Sequence, residues 1–169
     1  MKTLNTIFAS SLLLLAMASA AQAQEARLAF INSQRITSES GPAKAATAKL
    51  EAEFSKRQKD LTDLQASLKS FSEKFERDAP TMTESQRTSE QKEFVEQNRD
   101  FQRKKREFDE DLNGRRNEEL QSVYEKATKA IKQLAETEKY DLVVQEAVYF
   151  NPKIDITDKV IKILNAGGK

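Results

Sequence analysis

The sequence predicts an α+β protein: a small β-sheet body into which a long antiparallel coiled-coil helical hairpin is inserted. Three observations carry that reading. Between Leu50 and Phe75 the apolar residues keep an a/d heptad frame, a second apolar stripe begins beyond Pro80, and short strand-like apolar runs lie on both sides of this helical stretch.

Leu50, Phe54, Leu61, Leu64, Leu68, Phe71 and Phe75 fall on one helical stripe, with only Ala52 and Ala66 apolar elsewhere and Arg57 the one charged a/d position. So narrow a stripe on a charged helix asks for a partner helix rather than a broad core. Pro80 ends the first helix because it cannot donate the helical hydrogen bond. Thr81 to Glu84 and Thr83 to Gln86 both fit the capping box that starts another. From there Phe94, Phe101, Phe108, Leu112, Leu120, Val123, Ala127, Ile131 and Leu134 form the second stripe. It runs in sevens to Phe108 and then relaxes toward the straight-helix period, so the supercoil loosens there. A turn of a few residues makes the helices antiparallel, and the second spans roughly 80 Å at the α-helical rise.

Met1 to Ala23 combines Lys2, an apolar run from Ile7 to Met17 and the small residues before Ala23. This is the pattern of a secretory signal peptide, cleaved after Ala23, and the run is well short of the about 20 residues a membrane span needs. The expected compartment is the periplasm. Cleavage would remove Lys2 and no acid, so the 28 basic residues fall by one to match the 27 acidic ones. A balanced chain offers no global attraction to nucleic acid, so no nucleic-acid partner is expected. With no cysteine, an exported protein must rely on packing and assembly.

The body is divided by the arm. Its first part is 24–42, with a strand over Glu25 to Asn32 and a short helical turn from Ser33 to Ile36 capped by Ser33. Pro42 opens the arm, 43–139, at a position where its missing N–H is harmless. The second part is 140–169, with strands at Tyr140 to Val144 and Ala147 to Phe150, then a helix capped by Asp155 or Thr157 with Val160, Ile161 and Leu164 inward. Such a body has about 50 residues, near the limit for independent folding, and a three-stranded sheet leaves edges and an apolar face open. An obligate homo-oligomer follows, with Leu28, Phe30, Leu142, Val143, Val144, Val148 and Phe150 as its body contacts.

Catalysis finds no support. Histidine and cysteine are absent, removing the commonest general base and the thiolate nucleophile, and the four glycines are too scattered to cradle a phosphate. No metal and no cofactor are expected, since zinc's preferred ligands are missing. The sharpest charge feature is Arg99 with Arg103, Lys104, Lys105 and Arg106. It could draw in anionic polypeptide segments or lipid headgroups, or be a face compensated by Asp100, Glu107, Asp109 and Glu110 at helical spacing. Met82, at the tip, is an adaptable apolar contact for a bound polypeptide or a residue folded over the end of the seam. From Asn113 to Glu119 no apolar side chain reaches the seam, and Gly114 costs roughly 1 kcal/mol against alanine in a helix. It is either an exposed helical glycine or a hinge.

The closing segment from Tyr140 to Leu164, YDLVVQEAVYFNPKIDITDKVIKIL, and the opening RLAFINSQRI from Arg27 to Ile36 resemble the Skp/OmpH family of periplasmic chaperones. The resemblance implies a homotrimer whose bodies join in a barrel-like core, with three hairpins projecting as tentacles around a cavity. It implies an ATP-independent holdase that keeps unfolded outer-membrane proteins from aggregating. Well-known members are strongly basic whereas this chain is neutral, which leaves lipid or lipopolysaccharide contact open. The alternative function is a structural or adaptor coiled-coil protein of the cell envelope that binds a folded partner or a lipid surface.

Overall fold

A computed structural model describes residues 25–167; the proposed leader, 1–23, lies outside the described residues. In chain order the elements are β1 (Leu28–Phe30), α1 (Ser33–Glu39), α2 (Gly41–Asp78), α3 (Glu84–Glu138), β2 (Leu142–Val144) and α4 (Thr157–Ala166). Short 3-10 turns occupy Ala79–Thr81 and Pro152–Ile154. No helix among the described residues is long and apolar enough to cross a membrane.

The expected elements form, with corrections at their ends. Asn32, not Ser33, caps α1: its side chain accepts from the Arg35 N–H at 3.0 Å, and Ser33 is the first helical residue. Ser40 caps α2, and Pro42 sits in the first turn. The Gly41 N–H, orphaned by the start of the helix, donates to the Asn165 side chain at 2.6 Å. At the arm's tip Pro80 lies in the 3-10 turn, and of the two candidate boxes only that of Thr83 and Gln86 is described. Thr83 accepts from the Gln86 N–H, while the Gln86 side chain takes the Thr83 N–H at 3.0 Å. The last helix differs from expectation. Ile156 stands at its N-cap position, and Asp155 accepts from the Thr157 N–H at 2.8 Å.

The sheet is smaller than predicted. Leu28, Ala29 and Phe30 pair in parallel with Leu142, Val143 and Val144. A parallel pair needs a long crossover, and here the whole helical arm is that crossover. The third strand, at Ala147 to Phe150, is not formed. Among the described residues it pairs with neither β1 nor β2. Instead the Phe150 ring stacks on Phe30 at 3.7 Å, and Val148 and Tyr149 stand in solvent. On the other side of β1, Phe30 bridges to Asp155, and the Ile156 N–H donates to the Phe30 carbonyl at 2.9 Å.

One core closes the body. Ala29 and Ile31 from the first strand region, Ile36 from α1, Ala127, Ala130 and Leu134 from α3, and Ile156, Val160 and Leu164 bury one another. Thr157 is completely buried among them without loss, since its hydroxyl accepts from the Asn32 N–H at 2.9 Å and donates to Asp155.

Lys139 ends α3 in the left-handed region, at φ 56° and ψ 49°, where a Cβ is unfavourable and glycine is usual. Lys139→Gly is therefore expected to raise stability by about 1 kcal/mol, measured by urea unfolding followed by circular dichroism. An unchanged midpoint would show that the conformation carries no cost.

Candidate functional site

The described residues expose an arm and a sheet face. Among the described residues no group of three or more carboxylates, histidines or cysteines could hold a metal ion. The candidate site is therefore built from the arm's seam, tip and basic face, and from the open side of the body.

The seam is buried at its middle. Phe54, Leu61 and Phe108 bury one another, with Leu50, Phe101 and Leu112 packed alongside, and the Phe54 and Phe108 rings meet edge-on at 5.6 Å. Arg57, the charged seam position, does not enter it. Its guanidinium lies over both rings, 5.7 Å from each, and reaches Asp111 at 2.8 Å. That combines a cation–π contact with an ion pair while the head stays in water. Glu53 meets Arg115, Arg57 meets Asp111 and Phe71 meets Phe94, so the partner's position on α3 falls as the position on α2 rises. Toward the tip the contacts thin: Phe71, Phe75, Phe94 and Met82 are only half-buried, and Val95 is exposed.

At 113–119, where apolar seam residues run out, charges replace them. Lys49 pairs with Glu119 at 2.5 Å, Arg115 with Glu119 at 2.8 Å and with Glu53 at 3.3 Å, and Arg115 also reaches Glu118. The Lys49 hydrogen bond, with Arg115 beside it, holds the Glu119 carboxyl below its ordinary value of 4.5. Gly114 sits inside the unbroken α3, and a Cβ built on it would meet nothing within 4 Å.

Most of the basic run is paired along its own helix. Arg103 contacts Asp100 and Glu107, Lys104 contacts Asp100 at 2.8 Å, and Lys105 contacts Asp109 at 2.6 Å. Lys104 first, then Arg103, hold the Asp100 carboxyl below the usual range. Arg99 and Arg106 have no ion pair among the described residues and are exposed.

The predicted body residues separate onto two sides of the sheet. Val143 turns inward with Ala29 and packs against the core, so it is not part of an open face. Phe30 is buried, and Val144 is half-buried. Leu28 and Leu142, directly paired in register, remain 48% and 53% exposed, and Val148 is fully exposed. Sequence reasoning missed Tyr149, 84% exposed, although it lies inside the run read as a strand. It also placed Leu120 in the seam. Leu120 is 39% exposed and forms, with Tyr124 one turn on, an apolar shelf along α3. The relaxed period after Phe108 explains the slip, because the buried side there passes to Val123, Ala127, Ala130 and Leu134.

Comparison with known proteins places these features. A family model described as outer membrane protein (OmpH-like) matches residues 27–164. The chaperone protein Skp of Yersinia enterocolitica is 31% identical over 150 residues, covering 88% of this chain and 92% of that protein. The protein of the same name from Photorhabdus luminescens is 34% identical over 151 residues, covering 88% and 90%. The crystal structure of an OmpH-like protein from Caulobacter crescentus superposes with a TM-score of 0.69 at 22% identity, covering 84% of this chain and 85% of that one, which shows a shared fold.

A carboxylate whose folded pKa is depressed stabilises the protein above its ordinary value, and that contribution is lost as pH falls through the folded one. The ties of Glu119 are thus expected to weaken below about 4.5. Glu119→Gln should lower stability at neutral pH and make the protein less sensitive to acid over that range, read from thermal unfolding at a series of pH values. Parallel acid profiles for the two proteins would show that Glu119 contributes nothing to arm stability.

Proposed function

The chain belongs to the OmpH-like family of outer membrane proteins, and on that premise we propose that it is an exported, ATP-independent holdase chaperone for unfolded outer-membrane proteins. The observation that carries this reading is the family match across nearly all of the described residues, joined to relatives named as chaperones at up to 34% identity. The physical design supports it. A long arm with a thin seam and a charged surface, set on a small body, offers many weak contacts rather than one deep pocket. Retention then comes from avidity, since several arms acting together convert weak contacts into an intramolecular search.

On this reading the two long helices are an antiparallel coiled-coil hairpin, and three copies join through their bodies as a homotrimer with the arms as tentacles around a cavity. The protein works in the periplasm after cleavage following Ala23. Clients leave when folding or insertion competes, because the function needs no nucleotide. Met82 at the tip and the exposed Arg99 and Arg106, with Arg103 and Lys104 between them, are proposed client contacts. Pairing along α3 and the overall charge balance argue for a modest electrostatic share in binding, for clients and lipid alike.

The direct test is suppression of aggregation when a urea-denatured outer-membrane protein is diluted into buffer with the full-length mature protein, with and without ATP. Light scattering is expected to fall equally in both. A spacer or adaptor protein would leave scattering unchanged, and a requirement for ATP would exclude the holdase mechanism.

Gly114 is proposed as the arm's bending point, because seven residues there lack apolar seam contacts and depend on partly buried ion pairs. Open space around its Cβ predicts that Gly114→Ala stabilises the helix by up to about 1 kcal/mol. The variant should also keep small clients and lose large ones in the same scattering assay. Higher thermal stability with full capacity for large clients would make Gly114 an ordinary exposed glycine.

A further inference from the structure

A groove on the body runs between three helices: the first turns of α2, the root of α3 and the end of α4. Two adjoining hollows of about 470 and 330 Å³ form it, sharing Pro42, Lys126 and Leu164. Its floor is apolar, made by Pro42, Ala130, Ile163 and Leu164. Lys49, Lys126 and Lys129 stand around it, against Glu119 as the one carboxylate in its lining. Lys49 already holds Glu119 at 2.5 Å, and Arg115 takes the same carboxylate at 2.8 Å. Lys126 and Lys129 are exposed and form no ion pair among the described residues. Glu125, one turn before Lys129, is not paired with it and lines the shelf of Leu120 and Tyr124. No lining residue belongs to β1, β2 or the segment 145–150, so the groove is distinct from the body contacts read for the homo-oligomer.

We propose that this groove docks an acidic segment of a partner polypeptide, with an apolar side chain on the floor and carboxylates on Lys126 and Lys129. An apolar centre inside a charged rim is the anatomy of a protein interface, and it fits a chain better than a small molecule. A small-molecule site fixes its ligand with convergent polar groups in a pocket. Here the rim cations sit at the ends of flexible stems, and no buried side-chain nitrogen or oxygen among the described residues lacks a partner. The sign of the partner follows from the charge left over. With Glu119 held by Lys49 and Arg115, an incoming carboxylate meets two free ammonium groups, whereas a basic segment meets repulsion. Two free cations are too few for a polyphosphate backbone, whose binding draws on a longer basic track. Exposed carboxylate–lysine pairs steer and orient the segment, and apolar contact with Pro42 and Ile163 supplies most of the affinity. The arm's tip and basic face take no part, so the site does not depend on the holdase reading.

The test titrates the full-length mature protein against a short fluorescein-labelled peptide of alternating leucine and glutamate, read by fluorescence anisotropy. The peptide is expected to bind, and versions with glutamine for glutamate, or serine for leucine, should bind about tenfold more weakly. Lys126→Glu with Lys129→Glu should weaken binding by about tenfold while leaving helical circular dichroism and thermal unfolding unchanged, since both side chains are exposed. The same pair of changes should turn the preference toward a leucine–lysine peptide, which a merely structural role for the lysines would not do. Arg99→Glu with Arg106→Glu should leave the affinity as it is. The proposal is overturned if the natural protein does not bind the acidic peptide, or if the lysine variant binds it equally well. Loss of binding in the arginine variant would place the peptide on the arm and overturn it too. So would phosphatidylglycerol vesicles that displace the peptide through the same two lysines, because the groove would then be a lipid site. None of these results touches the holdase reading, which the light-scattering assay decides separately.

Discussion

The last turns of α3 belong to two structures at once. Ala127, Ala130 and Leu134 close the core of the body, while the same helix continues outward, without a break, as one side of the arm. Two of those three are alanines, so β1, α1 and α4 can approach the helix closely and bury it with little volume of their own. Everything outward is oriented by that contact. The arm's direction is the direction of a helix whose root is packed among Ile36, Ile156, Val160 and Leu164, and any loosening of the core would be felt as a swing of the tip.

Along the arm, cohesion changes in kind. Near the root it is ionic, with Lys49, Glu53, Arg115 and Glu119 joined across the helices. At the middle it is apolar and aromatic, around Phe54 and Phe108, with Arg57 laid over the rings. Beyond Leu68 the seam residues are only half-buried. These partly buried ion pairs yield to salt and acid, whereas buried aromatic contacts do not. The arm therefore has a firm middle between two parts with fewer buried contacts.

The body, by contrast, is short of partners. Its sheet has two strands of three residues, joined across the whole arm, and its outer strip of Leu28 and Leu142 is uncovered. The charged arm can stand in water as it is, but the sheet leaves apolar surface there. The part of the molecule that most needs a neighbour is thus also the part that fixes the arm. The uncovered strip and the residues that root the arm thus lie in one small body.

Much of this was legible in the residues. The heptad stripe, Pro80 and the capping box of Thr83 and Gln86 determined two helices and a turn, because those are local and periodic signals with a direct steric or hydrogen-bonding cause. The segments Leu28 to Phe30 and Leu142 to Val144 were likewise recognisable as strands, and helical spacing gave the pairs of Arg103, Lys104 and Lys105, though not the one expected between Arg106 and Glu110. Other features depended on tertiary structure. That Val143 faces the core, that Leu120 leaves the seam, and that Asn32 rather than Ser33 caps α1 turn on rotations of a fraction of a turn, which neighbouring elements decide. The strand expected at Ala147 to Phe150 is the clearest case. Its composition favours extended backbone, but a strand is made by pairing with an edge, and here Phe150 stacks on the Phe30 ring while Val148 and Tyr149 stand in solvent, unpaired with β1 or β2.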